Sequence, residues 1–443
     1  MILILRCQIN KVLILMFPVK KLFLLLGFLF TVTVLSSFSE PFTDRIFDSR
    51  IRTVQLYREG WNLSYPVINL NNQEKLVLNF DLLDNNPEAY YYTLIHCDKD
   101  WNESQIFTTD YLTGFFEDQI EDYRPSFNTK VYYYHYRIFI PNEKIGIKLS
   151  GNYVVKVYPA GVPEKPAFIK RFMVTEGSAV INAVIKRPQL DEFYNTGQQA
   201  EINVKLNHIQ VRDPYNDIFT FILRNGNFND AKENLKPDFV AGNEVRYNLL
   251  SNENIFYAGN EYRYFDIRSI RYTAENVRKI DYFEGRYHVF LVPSENREFK
   301  PYFYWQDFNG KYYIAVQDGR DMDTEADYVY VYFTLPSGNK IEGGNIYISG
   351  AFNNWAYVSD NLMTYDYSKA QYQCTMLLKQ GWYNYEYIYL RHGAKGAPPS
   401  FFEGNHYETE NDYLILIYYR NPKDRFDRLI GSVIANSARK ESF

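Results

Sequence analysis

Gly151-Asn152-Tyr153-Val154-Val155-Lys156-Val157-Tyr158 and Ala167-Phe168-Ile169-Lys170-Arg171-Phe172-Met173-Val174 are two β-branched and aromatic runs, separated by a segment that holds Pro159, Gly161 and Pro163. Such side chains fit the pleated surface of a sheet, and Pro and Gly punctuate it, so the pair predicts a hairpin. Working upstream, Leu76-Val77-Leu78-Asn79-Phe80 and Tyr91 to Ile95 are short apolar runs bounded by Asn, Asp and Pro. Tyr132 to Ile140 alternates, with Tyr132, Tyr134, Tyr136, Ile138 and Ile140 on one face. No helical periodicity interrupts these runs. The region from about Arg52 to Val174 therefore reads as an antiparallel β-sandwich of immunoglobulin-like size.

The rest of the chain repeats the pattern. The 443 residues exceed one ordinary core, so several domains are expected. With 42 Tyr and 33 Phe, the composition favours sheets throughout. The expected class is all-β, with tandem immunoglobulin-like (E-set) β-sandwich domains. The expected segments are a leader over 1–39, a first sandwich over 40–175, a middle one over 176–300, a C-terminal one over 301–428, and a polar tail over 429–443. In the middle region the clearest strands are Glu201 to Leu206, Phe219 to Arg224 and Arg286 to Leu291. In the C-terminal region, Tyr383, Tyr385, Tyr387 and Tyr389 share one face, which is expected to be a solvated Tyr ladder.

The leader reading rests on Val19-Lys20-Lys21, the apolar run Leu22 to Leu35, and Ser36, Ser37 and Ser39 after it. The run is shorter than the roughly 20 residues that span a bilayer. Cys7 falls in the leader, which leaves Cys97 and Cys374 as free, buried thiols rather than a disulfide framework. A net charge of −5 argues against nucleic acid as a partner, because phosphates require a basic face.

No nucleophile elbow, HExxH, P-loop, GxGxxG or CxxC occurs, so the chain is read as a non-enzyme without a cofactor. Ser437-Ala438-Arg439-Lys440 matches SxxK in spelling only. Asp98, Asp100 and Asn102 start like a calcium loop, but Glu103 stands where the loop needs Gly and Thr109 where it needs Glu. Asp318, Asp321, Asp323, Glu325 and Asp327 read as a solvated acidic loop, with an oxygen-ligand cation site near Asp321 as the alternative. An outer-membrane barrel is set aside because Ala435, Ser437, Arg439 and Glu441 do not make the apolar face of a closing strand.

Several separate motifs carry a family resemblance. Thr53-Val54-Gln55-Leu56-Tyr57, Gly60-Trp61-Asn62-Leu63-Ser64-Tyr65-Pro66, Tyr92-Thr93-Leu94-Ile95-His96-Cys97-Asp98 and Ser150-Gly151-Asn152-Tyr153 follow in order. This block resembles the type IX secretion system plug protein family of Bacteroidota. The resemblance implies a periplasmic protein on the inner side of the outer membrane. It would bind the outer-membrane translocon barrel and close its pore in the absence of cargo. Tyr111, Phe115 and Phe116, in an aromatic and acidic stretch between strands, are the candidate partner contacts. A second resemblance, of Gly350-Ala351-Phe352-Asn353-Asn354-Trp355 to a glycogen-binding E-set module, makes an envelope carbohydrate-binding protein the alternative. Trp355 would be its sugar platform.

Overall fold

The computed structural model describes residues 40–207, 209–247, 252–398 and 400–438. The leader expected over 1–39 lies outside the described residues. In the first sandwich, one sheet runs in the order Arg45–Ile46, Phe168–Thr175, Gly151–Pro159, Tyr90–Cys97 and Glu117–Gln119. Val67–Asn69 adds to it in parallel, on Phe168–Thr175. The facing sheet runs Ile51–Arg58, Leu76–Leu82, Tyr134–Ile140, Tyr123–Pro125. The expected hairpin pairs antiparallel from Gly151 opposite Val174 to Val157 opposite Phe168. Phe80 stacks on Tyr136 at 4.8 Å and meets the edges of Tyr90 and Phe168, so aromatic rings fill the space between the sheets.

The near-continuous apolar character of Gly151–Pro159 has a direct cause. Tyr153, Val155 and Val157 face the first core, while Val154 faces outward into a second apolar layer. That layer joins Cys97, Trp101, Val154, Ile169 and Met173 to Phe221, Leu223, Leu414 and Leu416 of the next sandwich. A strand buried on both faces loses the alternation that a half-buried strand shows.

The middle sandwich differs from the expected segmentation. One sheet is Val180–Lys186, Gly197–Lys205, Glu244–Tyr247 and Phe239–Ala241, with Ile255–Tyr257 also on Gly197–Lys205. The other is Lys232–Leu235, Ile218–Arg224, Asp412–Tyr419 and Arg428–Asn436. Its core therefore closes with chain that returns only after the third sandwich. The polar tail expected from 429 is corrected accordingly: Arg428–Asn436 is a strand, with Leu429 and Ile430 fully buried.

The third sandwich is inserted between Tyr257 and Asp412. Its sheets are Arg263–Asp266, Gly381–Arg391 and Tyr312–Ile314, with Gly344–Ser349 also on Gly381–Arg391, facing Val277–Phe283, Arg286–Leu291, Tyr328–Pro336, Gln371–Lys379 and Thr364–Asp366. Arg286–Leu291 thus belongs here and not to the middle domain, and the boundary expected at 300 falls near 260. The Tyr ladder is corrected too. Tyr383, Tyr385 and Tyr387 are core side chains: Tyr383 stacks on Phe265 and Tyr312, Tyr385 meets Phe333 edge-on, and Tyr387 meets Tyr385 edge-on.

Candidate partner surfaces and the seams between sandwiches

The seam between the first and third sandwiches is ionic at its centre. Lys379 Nζ lies 2.7 Å from Asp81 Oδ2, donates to the Asp323 carbonyl at 2.8 Å, and sits 4.2 Å from the Tyr133 ring centroid. Tyr328 donates its hydroxyl to Asp81 at 2.7 Å, and His135 Nδ1 lies 2.7 Å from the other carboxylate oxygen. Burial alone would raise the Asp81 carboxyl, but the Lys379 ammonium and His135 outweigh it and hold it below its usual range. Burial also pulls Lys379 down, against the attraction of Asp81.

The acidic cluster is spent on the same seam. Arg124 of the first sandwich reaches Asp321 at 2.6 Å and Asp323 at 3.1 Å, and Arg137 also pairs with Asp323. Asp327 accepts the backbone N–H groups of Lys130 and Val131 at 2.6 and 3.0 Å. The solvated-loop reading is therefore replaced by a docking loop. Among the described residues no group of three His, Cys, Asp or Glu side chains is placed to hold a metal ion. Asp98 Oδ1 instead accepts the N–H groups of Asp100 and Asn102, closing a turn.

Trp355 is 9% exposed and cannot serve as a flat sugar platform. It lines a small cleft with Tyr57, Lys170, Arg171 and Phe228, so it wedges the third sandwich against the other two. The neighbouring Asn354 Oδ1 accepts from Lys170 Nζ at 2.6 Å, and the Trp355 carbonyl accepts from Asn229 Nδ2 at 2.7 Å. The G-x-F-N-N-W turn is thus a joint between domains.

The three expected partner contacts separate. Tyr111 is 6% exposed and packs in the first core, so it is corrected to a structural residue. Phe115 and Phe116 are 64% and 48% exposed. The loop that presents them is fixed from behind. Gly114 has a left-handed φ of 82°, and a Cβ there would lie 2.1 Å from the Lys144 carbonyl, so only glycine fits the turn.

A second aromatic surface escaped the sequence reading. Between Leu291 and Tyr312 the chain has no strand, yet Phe299 is 89% and Phe303 72% exposed. The segment is pinned underneath: Arg297 Nε donates to buried Glu403 at 2.9 Å, Tyr302 donates to Glu261 at 2.6 Å, and Trp305 Nε1 donates to the Tyr262 carbonyl at 2.9 Å. The signal was the density of rings in Phe299-Lys300-Pro301-Tyr302-Phe303-Tyr304-Trp305.

Where the three sandwiches meet, a cavity of about 770 Å³ opens, walled by Trp61 and Ile68 of the first, Asp307 and Lys311 of the third, and Asp412 and Ile434 of the second. Lys311 Nζ lies 3.8 Å from Asp412, and burial pulls its ammonium down to about 8. Desolvation, with the charges of Glu261 and Glu410, pushes Asp307 up to about 7 against the N–H bonds it accepts. Cys97 and Cys374 are free and buried. Burial pushes the Cys374 thiol up to about 12, which leaves it unreactive.

Three β-sandwiches, joined through buried apolar and ionic seams, define an all-β protein of tandem sandwich domains. Residues 51–176 match the type 9 secretion system plug protein 1st domain. A crystal structure described as a hypothetical protein from Parabacteroides merdae ATCC 43184 is similar, with a TM-score of 0.86 and 33% identity over 89% of this chain and 99% of that one. No curated protein matches the chain significantly. The chain belongs to the type 9 secretion system plug protein family. Membership implies association with the type 9 secretion apparatus and an envelope location. Among the described residues no helix is long and apolar enough to cross a membrane.

Proposed function

We propose that this protein is a periplasmic, non-enzymatic subunit that binds the outer-membrane translocon barrel of the type 9 secretion system and closes its pore in the absence of cargo. The observation that carries this reading is the pairing of a stiff body with projecting rings. Phe115 and Phe116 stand out from a backbone that is already fixed, so little entropy is lost when a partner covers them. Exposed aromatics on ordered loops are the usual anchors of protein interfaces. A plug also has to resist deformation, and the Asp81–Lys379 and Arg124–Asp321 pairs tie the first sandwich to the third.

The test is capture of the barrel by a tagged copy after crosslinking in cells, followed by conductance of the reconstituted barrel with and without the protein. Co-purification together with a fall in conductance supports plugging. A barrel that neither co-purifies nor changes its conductance sinks it. The carbohydrate alternative loses its platform with the burial of Trp355.

A further inference from the structure

The cavity at the triple junction has one wall made of a sheet edge. Arg428–Asn436 is the last strand of its sheet, and Asp412–Tyr419 covers only one of its sides. The first half of its other side is already taken by the chain's own linker. The Glu176 N–H donates to the Leu429 carbonyl and the Ala179 N–H to the Ile430 carbonyl, each at 2.9 Å. The register slips between Ile417 and Tyr418, opposite Ile430, so a bulge turns both carbonyls outward.

Beyond Ala179 the chain continues as Val180–Lys186 in the opposite sheet, with Ile181 still packed against Gly431. Past that point the edge lines the cavity through Ser432, Val433, Ile434 and Asn436. The direction of its backbone groups follows from the ladder. Ser437 N–H donates to the Asn411 carbonyl, whereas the Asp412 carbonyl accepts from Asn225 on the far side of its strand. Antiparallel pairs alternate, so Ser432, Ile434 and Asn436 point their N–H and C=O groups away from Asp412–Tyr419 and toward the open side.

The geometry points to a peptide-binding site: an extended segment of a partner protein adds as a strand to Ser432–Asn436 within the junction cavity. Main-chain hydrogen bonds would supply affinity and side-chain pockets specificity. The outward groups of Ser432, Ile434 and Asn436 span about four residues at ~3.3 Å per residue, which sets the length of a short added strand. Ile68 and Ile434 offer an apolar wall, and Trp61, 50% exposed, stands at the cavity's rim. The lining holds the carboxylates of Glu74, Glu410 and Asp412, with Asp307 partly ionised beside them, against the cations Arg58 and Lys311. That imbalance favours a segment with a Lys or Arg beside an apolar residue. The inference goes beyond barrel binding, and it stands or falls independently of it.

The test is selection of phage-displayed random heptapeptides on the full chain, followed by fluorescence anisotropy with the enriched peptides. Ser432→Pro removes one outward N–H from an edge strand, a place where proline is tolerated, and leaves the Ile434 wall in place. The expected result is at least a tenfold loss of affinity for this variant, with its melting temperature retained. A reciprocal measurement leaves the protein untouched: N-methylation of alternate peptide amides is expected to weaken binding tenfold at every second position only. Failure to enrich any peptide, or affinity indifferent to both changes, overturns the proposal.

Discussion

Lys379 of the third sandwich places its ammonium nitrogen 2.7 Å from Oδ2 of Asp81 in the first, and each side chain is 1% exposed. Neither charge is solvated, so each is tolerable only because of the other. Removing one partner of such a pair typically costs about 3–5 kcal/mol, whereas replacing both by neutral groups of similar volume is close to neutral. Asp81→Asn and Lys379→Met are each expected to lower the denaturant midpoint strongly, and the double variant to recover most of the loss. A double variant as unstable as the sum of the singles would show that the pair does not act as a unit.

Acid sensitivity follows from the same seam. The folded-state pKa of Asp81 is lowered, so its contribution is fully present above the ordinary carboxylate range and is lost as pH falls through the lower folded value. Asp44, held down by Lys170 and Arg171 against its burial, behaves alike. Melting temperature is therefore expected to fall steeply below about pH 4. Asp81→Asn should flatten that limb, which scanning calorimetry across pH would show.

Glu386 has the opposite sign. Burial, with the charge of Glu403, pushes its carboxyl up to about 8 against the pull of Arg224. The folded state thus binds a proton that the unfolded chain releases near pH 4.5, and stability falls as pH rises from there through 8. Glu386→Gln is expected to stabilise the protein at pH 8.5 by a few kcal/mol, and to have little effect at pH 5. Equal effects at both pH values would mean that the carboxylate is already charged at pH 5.

Tyr111, Phe115 and Phe116 lie close in sequence but predict different outcomes. Phe115→Ala with Phe116→Ala is expected to reduce barrel capture severalfold while leaving the melting temperature within a few degrees. Tyr111→Ala opens a hole in the first core and is expected to cost about 3–5 kcal/mol, as aromatic truncations in cores do. If the two Phe changes leave capture intact, the Phe299 and Phe303 surface becomes the contact to test.

The strands of the first sandwich were legible in the sequence as apolar and aromatic runs between Pro, Gly and Asn breaks, and the Gly151–Pro159/Phe168–Thr175 hairpin with them. The long-range pairing of Leu76–Leu82 with Tyr134–Ile140, or of Tyr90–Cys97 with Gly151–Pro159, was not. The family motifs were legible too, but what they do was not. His96 has its Nδ1 2.8 Å from Ser104 Oγ and its Nε2 3.0 Å from the Ser150 carbonyl, and burial pulls its imidazole down to about 4. Cys97 packs in the layer against the middle sandwich, and Asp98 closes a turn. These residues are scaffold, and only their positions in space reveal it. The acidic run 318–327, read as a solvated loop, and Trp355, the sugar platform of the alternative reading, are both joints for a related reason: the partner of each lies 100 or more residues away, as Arg124 and Asn229 do here. Strand period also carries no information on which strand pairs with which. That is why the middle sandwich looked contiguous.

The C-terminal strand gives the sharpest test of that nesting. A tail beginning at 429 should be removable without harm, because a polar segment past the last strand contributes little burial. In the structure, Leu429 and Ile430 are fully buried, Val433 and Ala435 lie in the middle core, and Arg428 pairs with Glu176 of the linker at 2.6 Å. Ending the chain at 427 removes one strand of four from a sheet and exposes the edge of Asp412–Tyr419. The truncated protein is expected to be cut by limited proteolysis between 180 and 257 and to aggregate, since an uncovered apolar edge strand invites pairing between chains. The third sandwich, which has its own core, should survive as a resistant fragment spanning roughly 260–410. Truncation that leaves the proteolytic pattern unchanged would mean that Arg428–Asn436 does not close the middle core.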